Sequence, residues 1–146
     1  MEHLENTTFY KLLAVQKKLL STVRKDFKDV NITHDNYITL HFIYENPGIT
    51  QADLADLNDK DRNVIAKTID KLEKNGWVER VRSIEDRRAF TLFITEDGKQ
   101  IIYRYWDKMI LRQKEAISML SEEEQILFDT LLEKILRNCT EKQNVQ

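Results

Sequence analysis

Asp61-Arg62-Asn63-Val64-Ile65-Ala66-Lys67-Thr68-Ile69-Asp70-Lys71-Leu72-Glu73-Lys74-Asn75-Gly76 is the stretch whose reading decides the fold. Ile65, Ile69 and Leu72 recur at i, i+4 and i+7, so one face of a helix over 61–75 is apolar. Asn63, Lys67, Asp70 and Lys74 fall on the opposite face, with Arg62 and Ala66 flanking them near the start. Asp61 is placed to cap the helix, and Gly76 sits where a left-handed residue closes one. The spacing predicts a helix pinned to a small core by one side, with a polar, partly basic side turned outward.

The neighbours of this helix give it a context. Trp77-Val78-Glu79-Arg80-Val81-Arg82 and Ala89-Phe90-Thr91-Leu92-Phe93-Ile94 are β-rich runs around the charged segment Ser83-Ile84-Glu85-Asp86-Arg87-Arg88, which reads as a hairpin with arginines at its tip. Upstream, Ile49 to Leu57 reads as a short helix with Thr50 as N-cap and Asp53 in a capping-box position. Helix, tight turn, second helix and basic hairpin make a winged helix-turn-helix. The expected fold is mainly α with a small β-hairpin wing, and the expected function is DNA binding.

Outward from this centre the chain is helical. Phe9, Leu12, Leu13, Leu19, Leu20, Val23 and Phe27 predict a long amphipathic helix between Thr7 and Asp29, with Lys17, Lys18, Arg24 and Lys25 on its wet side. Thr33 is the N-cap of a helix carrying Tyr37, Leu40, Ile43 and Tyr44, which Asn46-Pro47-Gly48 stops. Thr95 opens a further helix, with Glu96 and Asp97 favourable in its first turn, expected to run to about Leu120. Ser121-Glu122-Glu123-Glu124 is a capping box opening the last helix, which carries Ile126, Leu127, Leu131, Ile135 and Leu136. The expected organisation is a winged helix-turn-helix DNA-binding lobe over 33–98, with 1–32 and 99–146 forming a helical dimerisation region. The terminal helices carry more apolar surface than a soluble monomer leaves exposed, which points to a second copy; the alternative is that they cover the back of the lobe.

Composition sets limits on function. The 146 residues carry a net charge of −2, 41% hydrophobic and 33% charged residues, three Gly and one Pro, which suits one domain of long helices. The total argues mildly against nucleic acid. Between Asn58 and Arg88 nine basic residues stand against seven acidic ones, so outward placement carries the case more than local charge does. A single Cys, Cys139, excludes an internal disulfide framework and fits a reducing compartment, and it is expected to be a partly buried apolar residue, or inert, rather than a sensor. The start of the chain does not read as a signal peptide and no apolar run spans a bilayer, so a cytoplasmic protein without membrane contact is expected. There is no phosphate loop, nucleophile elbow or paired Cys, so no catalytic residue and no cofactor is assigned. His3, His34 and His41 have no metal-ligand spacing, and no metal site is expected.

Several segments together resemble the MarR-type (multiple antibiotic resistance regulator) family. Ile32-Thr33 through Asn46-Pro47-Gly48-Ile49-Thr50-Gln51-Ala52-Asp53-Leu54-Ala55 is similar to its second and third helices. Asp70-Lys71-Leu72-Glu73-Lys74-Asn75-Gly76-Trp77-Val78-Glu79-Arg80 resembles the exit of its recognition helix. Asp86-Arg87-Arg88 with Leu92-Phe93-Ile94-Thr95-Glu96-Asp97-Gly98 resembles its wing and the start of its fifth helix. The resemblance implies a triangular homodimer, with helices one, five and six interlocked and two winged lobes straddling a palindrome. Asn58-Asp59-Lys60 departs from the family's usual apolar-Gly-apolar turn, and Val64 and Ala66 stand where hydroxyl side chains are common.

On this reading, helix 61–75 enters the major groove, about 12 Å wide, and Arg62, Asn63, Ala66 and Lys67 lie where a recognition helix meets bases. Lys71 and Lys74 lie further along, toward phosphates, with a solvated helix face as the alternative for each Lys. In the 80–90 wing, Arg88 would enter an A·T-rich minor groove, with Asp86 orienting a wing arginine and Arg82 and Arg87 on the backbone; the plain alternative is a tip charged for solubility. Thr50 and Gln51 would offer a phosphate the N–H groups of a helix start. The resulting function is a homodimeric sequence-specific regulator, a repressor by default, on a palindromic A·T-rich operator in double-stranded DNA. The alternative is a winged-helix protein-interaction module without DNA binding. The resemblance also implies a small aromatic effector between dimer helices and lobes, for which Tyr10, Tyr37, His41, Tyr103 and Trp106 are the candidates; plain core packing is the competing role. The family's peroxide sensors carry a reactive Cys in the first helix, and none occurs there.

Overall fold

The computed structural model describes residues 3–83 and 90–143. After a 3₁₀ turn at Leu4–Asn6 come α1 (Thr8–Asp26), α2 (His34–Glu45), β1 (Ile49–Thr50), α3 (Gln51–Leu57), α4 (Arg62–Lys74), β2 (Val78–Arg82), β3 (Phe90–Ile94), α5 (Glu96–Ala116) and α6 (Glu122–Gln143). The chain divides into two compact units, 1–110 and 111–146, and α5 runs from the first into the second.

Local chemistry starts each helix. The Thr7, Thr33 and Thr50 hydroxyls accept from Tyr10, Asn36 and Asp53 N–H groups at 3.2, 3.2 and 3.1 Å. The Thr95 hydroxyl accepts from the Gly98 N–H at 3.1 Å while donating to the Gly76 carbonyl at 2.6 Å. Ser121 and Glu124 form a reciprocal capping box: the Glu124 N–H donates to Ser121 Oγ at 3.2 Å, and the Ser121 N–H to the Glu124 carboxylate at 2.8 Å. Two boundaries differ from expectation. Ile49 and Thr50 are a strand, not the start of a helix, because they pair antiparallel with Leu92 and Thr91 of β3. The wing is therefore part of a three-stranded sheet in the order β1-β3-β2. The fifth helix ends at Ala116 rather than near Leu120, where a turn with Leu120 N–H on the Ile117 carbonyl precedes the Ser121 cap.

The core of the first unit is drawn from its five helices, β2 and β3. Tyr37, Leu40 and Ile43 of α2, Leu54 of α3, Ile65, Ile69 and Leu72 of α4, and Tyr105 of α5 have no exposed surface, joined by Val78, Leu92, Ile102 and, at the end of α1, Val23 and Phe27. Each aliphatic side chain so buried contributes roughly 1.5–3 kcal/mol before entropy is charged. Two tyrosine hydroxyls that enter this core find partners. The Tyr37 hydroxyl donates to the Ile102 carbonyl at 3.2 Å, and burial pushes that hydroxyl's pKa up to about 12. The Tyr105 hydroxyl donates to Asp29 at 2.6 Å, Arg104 closes on the same carboxylate, and the Tyr105 bond is the main cause holding Asp29 below its ordinary value. Gly98 is required by close approach: a Cβ there would lie 2.3 Å from the Trp77 carbonyl oxygen and 2.6 Å from Ile94 Cγ1. Among the described residues no helix is long and apolar enough to cross a membrane.

Candidate nucleic-acid interface

The outward face of α4 is built by its two ends and its core. Asp61 Oδ1 accepts from the Asn63 N–H at 2.7 Å, which seats the first turn. At the other end the Trp77 N–H donates to the Leu72 carbonyl at 3.0 Å and the Gly76 N–H to the Glu73 carbonyl at 2.9 Å, with Gly76 at φ +75°. That pair of bonds is a Schellman closure, and the left-handed position it needs is why Gly stands there. With Ile65, Ile69 and Leu72 buried, Arg62, Asn63 and Lys67 are exposed and Ala66 and Lys71 half-buried along the flanks. Val64 is 49% exposed, an apolar side chain left beside Asn63 near the helix start.

The turn before α4 sets the angle at which that face is presented. Asp59 takes φ +47°, filling with an L residue the left-handed place a glycine would take at less cost. Asn58 repays part of this by donating from Nδ2 to Thr39 Oγ1 at 2.8 Å, and Thr39, fully buried, donates in turn to the Asp35 carbonyl at 3.0 Å. Lys60 lies 3.5 Å from the Asp35 carboxylate. The turn is thus tied to α2, which sequence spacing did not reveal. Thr50 and Gln51 are half-buried at the start of α3; the Thr50 hydroxyl also donates to Asp53 Oδ2 at 2.7 Å, so its oxygen is already engaged.

In the wing, Val78 to Arg82 pair in register with Ile94 to Phe90. Arg82 is exposed, its guanidinium carbon 5.9 Å from the Phe90 ring centroid. Asp86, Arg87 and Arg88 lie outside the described residues. Arg80 does something that its place in the strand did not announce: its guanidinium reaches back to α4 and bonds both Asp70 and Glu73. Asp70, expected on the outward polar face, is therefore one of three residues in an ion-paired group. A basic residue two positions inside a strand that follows an acid-bearing helix was the available signal.

The aromatic residues divide. His41 lies against Trp106 with ring centroids 5.0 Å apart, and edge-on to Tyr37 and Tyr44 at 6.0 and 5.9 Å. Tyr103 joins through Tyr44, hydroxyl to hydroxyl at 3.4 Å, a bond that raises the Tyr44 pKa. Tyr37 belongs to the core. Tyr10, 41% exposed on α1, has no ring contact with the other four among the described residues. Cys139 is exposed on α6, not partly buried, the first of its two expected states. Among the described residues no group of His, Cys, Asp or Glu could hold a metal ion.

Comparison with known proteins gives these features a lineage. Residues 30–89 match the MarR family model. The HTH-type transcriptional regulator YybA of Bacillus subtilis is 32% identical over 129 residues, covering 85% of this chain and 83% of its own. The solved structure of the transcriptional regulator SlyA has a TM-score of 0.86 at 26% identity, covering 96% of this chain and 100% of that one. The S. aureus MepR–DNA complex gives a TM-score of 0.83 at 20% identity, covering 90% and 98%, a likeness of fold alone. A relative nearly one-third identical along most of both chains, matched to this arrangement of helices and sheet, leaves one conclusion: the chain belongs to the MarR family, a family of winged helix-turn-helix transcriptional regulators and not of enzymes.

Proposed function

We propose that this regulator binds double-stranded DNA as a homodimer and represses by occupying a palindromic, A·T-rich operator. The observation that carries the reading is the split of α4: Ile65, Ile69 and Leu72 have no exposure, while Arg62, Asn63 and Lys67 stand free on the far side. Arg and Asn are the side chains that pair bidentately with guanine and adenine, Lys67 lies beside them, and Lys71 and Lys74 add charge toward the phosphates. The arginines of the wing, Arg82, Arg87 and Arg88, reach the flanking minor groove and backbone, with Asp86 orienting one of them. Thr50 and Gln51 meet the backbone where α3 begins. The MepR–DNA complex, of the same fold, lends support.

Dimerisation is supported by what α1 and α6 leave uncovered. Phe9 is 71%, Leu13 48%, Ile126 64% and Leu136 69% exposed, more than a chain in water leaves on two helices without a partner. The lobe over 33–98 does the reading, and 1–32 with 99–146 hold the two copies. The row formed by Tyr44, His41 and Trp106 with Tyr103 supports a place where a small aromatic effector lodges and releases the operator. The working compartment is the cytoplasm, where the promoter is.

Selection of genomic fragments by the purified protein tests this. The expected yield is an A·T-rich imperfect palindrome with half-site centres about one helical turn (~34 Å) apart. Log affinity then falls steeply with log salt, about −0.9 per phosphate contact. Arg88→Ala weakens binding to every selected site and leaves the dimer intact. A protein-interaction module without DNA binding would enrich no sequence and show no salt slope.

A further inference from the structure

We infer that Arg80 is a positioning residue for DNA recognition, acting by neutralising two carboxylates that α4 would otherwise carry toward the duplex. The inference rests on α4 being the recognition helix. Asp70 shares the outward side of α4 with Asn63 and Lys67, and Glu73 lies next to it one turn on. Their side chains are 66% and 41% exposed, so neither is screened by burial. Acids there are unfavourable twice over: they sit in the last two turns, near the negative end of the helix dipole, and they face the polyanion. The Arg80 side chain, 23% exposed, bonds one carboxylate with each terminal nitrogen, Nη2 to Asp70 and Nη1 to Glu73. The planar guanidinium suits this, because its fork serves two acceptors at once where an ammonium is a single point of charge. Arg80 also belongs to β2, so the ion pair links the first strand of the wing to α4. A residue that sequence would count among the basic contacts is thereby assigned an internal partner and no phosphate.

A neutraliser and a mechanical brace make opposite predictions. If the ion pair only braces the wing, breaking it from either side weakens binding. If Arg80 cancels the acids, only removal of the arginine does. The experiment uses the full chain and a fluorescent duplex recovered in the genomic selection, with anisotropy read at about 50 mM and about 300 mM salt. Arg80→Gln is expected to bind about tenfold more weakly at the lower salt, with the loss shrinking to about twofold at the higher one. Asp70→Asn with Glu73→Gln in the wild-type background is expected to bind at least as tightly as wild type. The triple variant carrying all three changes is expected to return to within about twofold of wild type. Wild-type affinity in Arg80→Gln, a triple variant as weak as Arg80→Gln, or a double variant that also loses affinity overturns the assignment. Should Arg80→Gln fail to fold, the double and triple variants decide alone, since removing acids from a helix C-terminus carries no folding penalty. A wild-type protein that binds no duplex sinks the DNA-binding reading and this inference with it, whereas the other failures sink only the inference.

Discussion

α4 and α6 are written in the same amphipathic pattern and meet different fates. In α4 the stripe Ile65, Ile69 and Leu72 is sealed completely, whereas in α6 Ile126, Leu127, Leu131 and Ile135 keep between 44% and 64% of their surface. Both helices have good caps, Asp61 for one and Ser121 for the other, so local chemistry does not separate them. What separates them is whether this chain supplies the facing surface. The stripe of α4 closes a core with α2, α3 and the sheet; that of α6, on the dimer proposed above, meets a second copy. Stability of the first helix is therefore a property of one chain, and that of the second, on the reading proposed here, a property of two.

The comparison can be broken most forcefully at its buried pole. Ile69→Ala truncates a fully buried side chain and should cost about 2–5 kcal/mol, read as a lower denaturation midpoint in urea. The loss should be the same at every protein concentration. Leu131→Glu with Leu136→Glu tests the open pole: light scattering should show a dimer become a monomer, with the circular dichroism of the lobe retained. Wild-type protein that is already monomeric at micromolar concentration would remove the distinction altogether. The stability of wild type, unlike that of this variant, should rise with concentration.

A smaller effect sharpens what closes the lobe. Gly98→Ala drives a methyl into the Trp77 carbonyl and Ile94, and since the first is backbone the cost should be about 1–3 kcal/mol by thermal denaturation. The smallest concerns His34 at the start of α2. Burial holds its imidazole below the ordinary value, Asp35 opposes this, Lys60 pushes the same way as burial, and Nδ1 is buried without a hydrogen-bond partner among the described residues. The unfolded chain thus binds a proton more readily than the native one. His34 contributes stability that is fully present above about pH 6.5 and is lost as pH falls through the lower native value. Melting temperature should drop between about pH 7.5 and pH 5, and His34→Asn should flatten that drop; an unchanged slope would mean the imidazole is free to protonate in the fold.

Much of this was legible in advance, because it is local. Thr33, Thr50, Asp61 and Ser121 act within three residues of themselves, and Ile65, Ile69 and Leu72 need only the helical period to be read. Candidate contacts on α4 were proposed from the same period, and Ala66 lies on a flank as the pattern implied. The misreadings share a cause. Ile49 and Thr50 look like the approach to a helix until Leu92 and Thr91, far along the chain, offer them a ladder. Asn58 reads as a turn residue, and nothing near it in sequence names Thr39 as its acceptor.

By itself, then, the sequence determined which segments are helices, where each begins, which side of α4 is apolar and which family the whole resembles, since those depend on periodicity and on groups a few bonds apart. Only the tertiary structure decided that Arg80 belongs to Asp70 and Glu73, that β1 completes the sheet, and that Gly98 must lack a side chain. These rest on which distant surfaces come within reach once the core has formed, and no spacing along a single element encodes that.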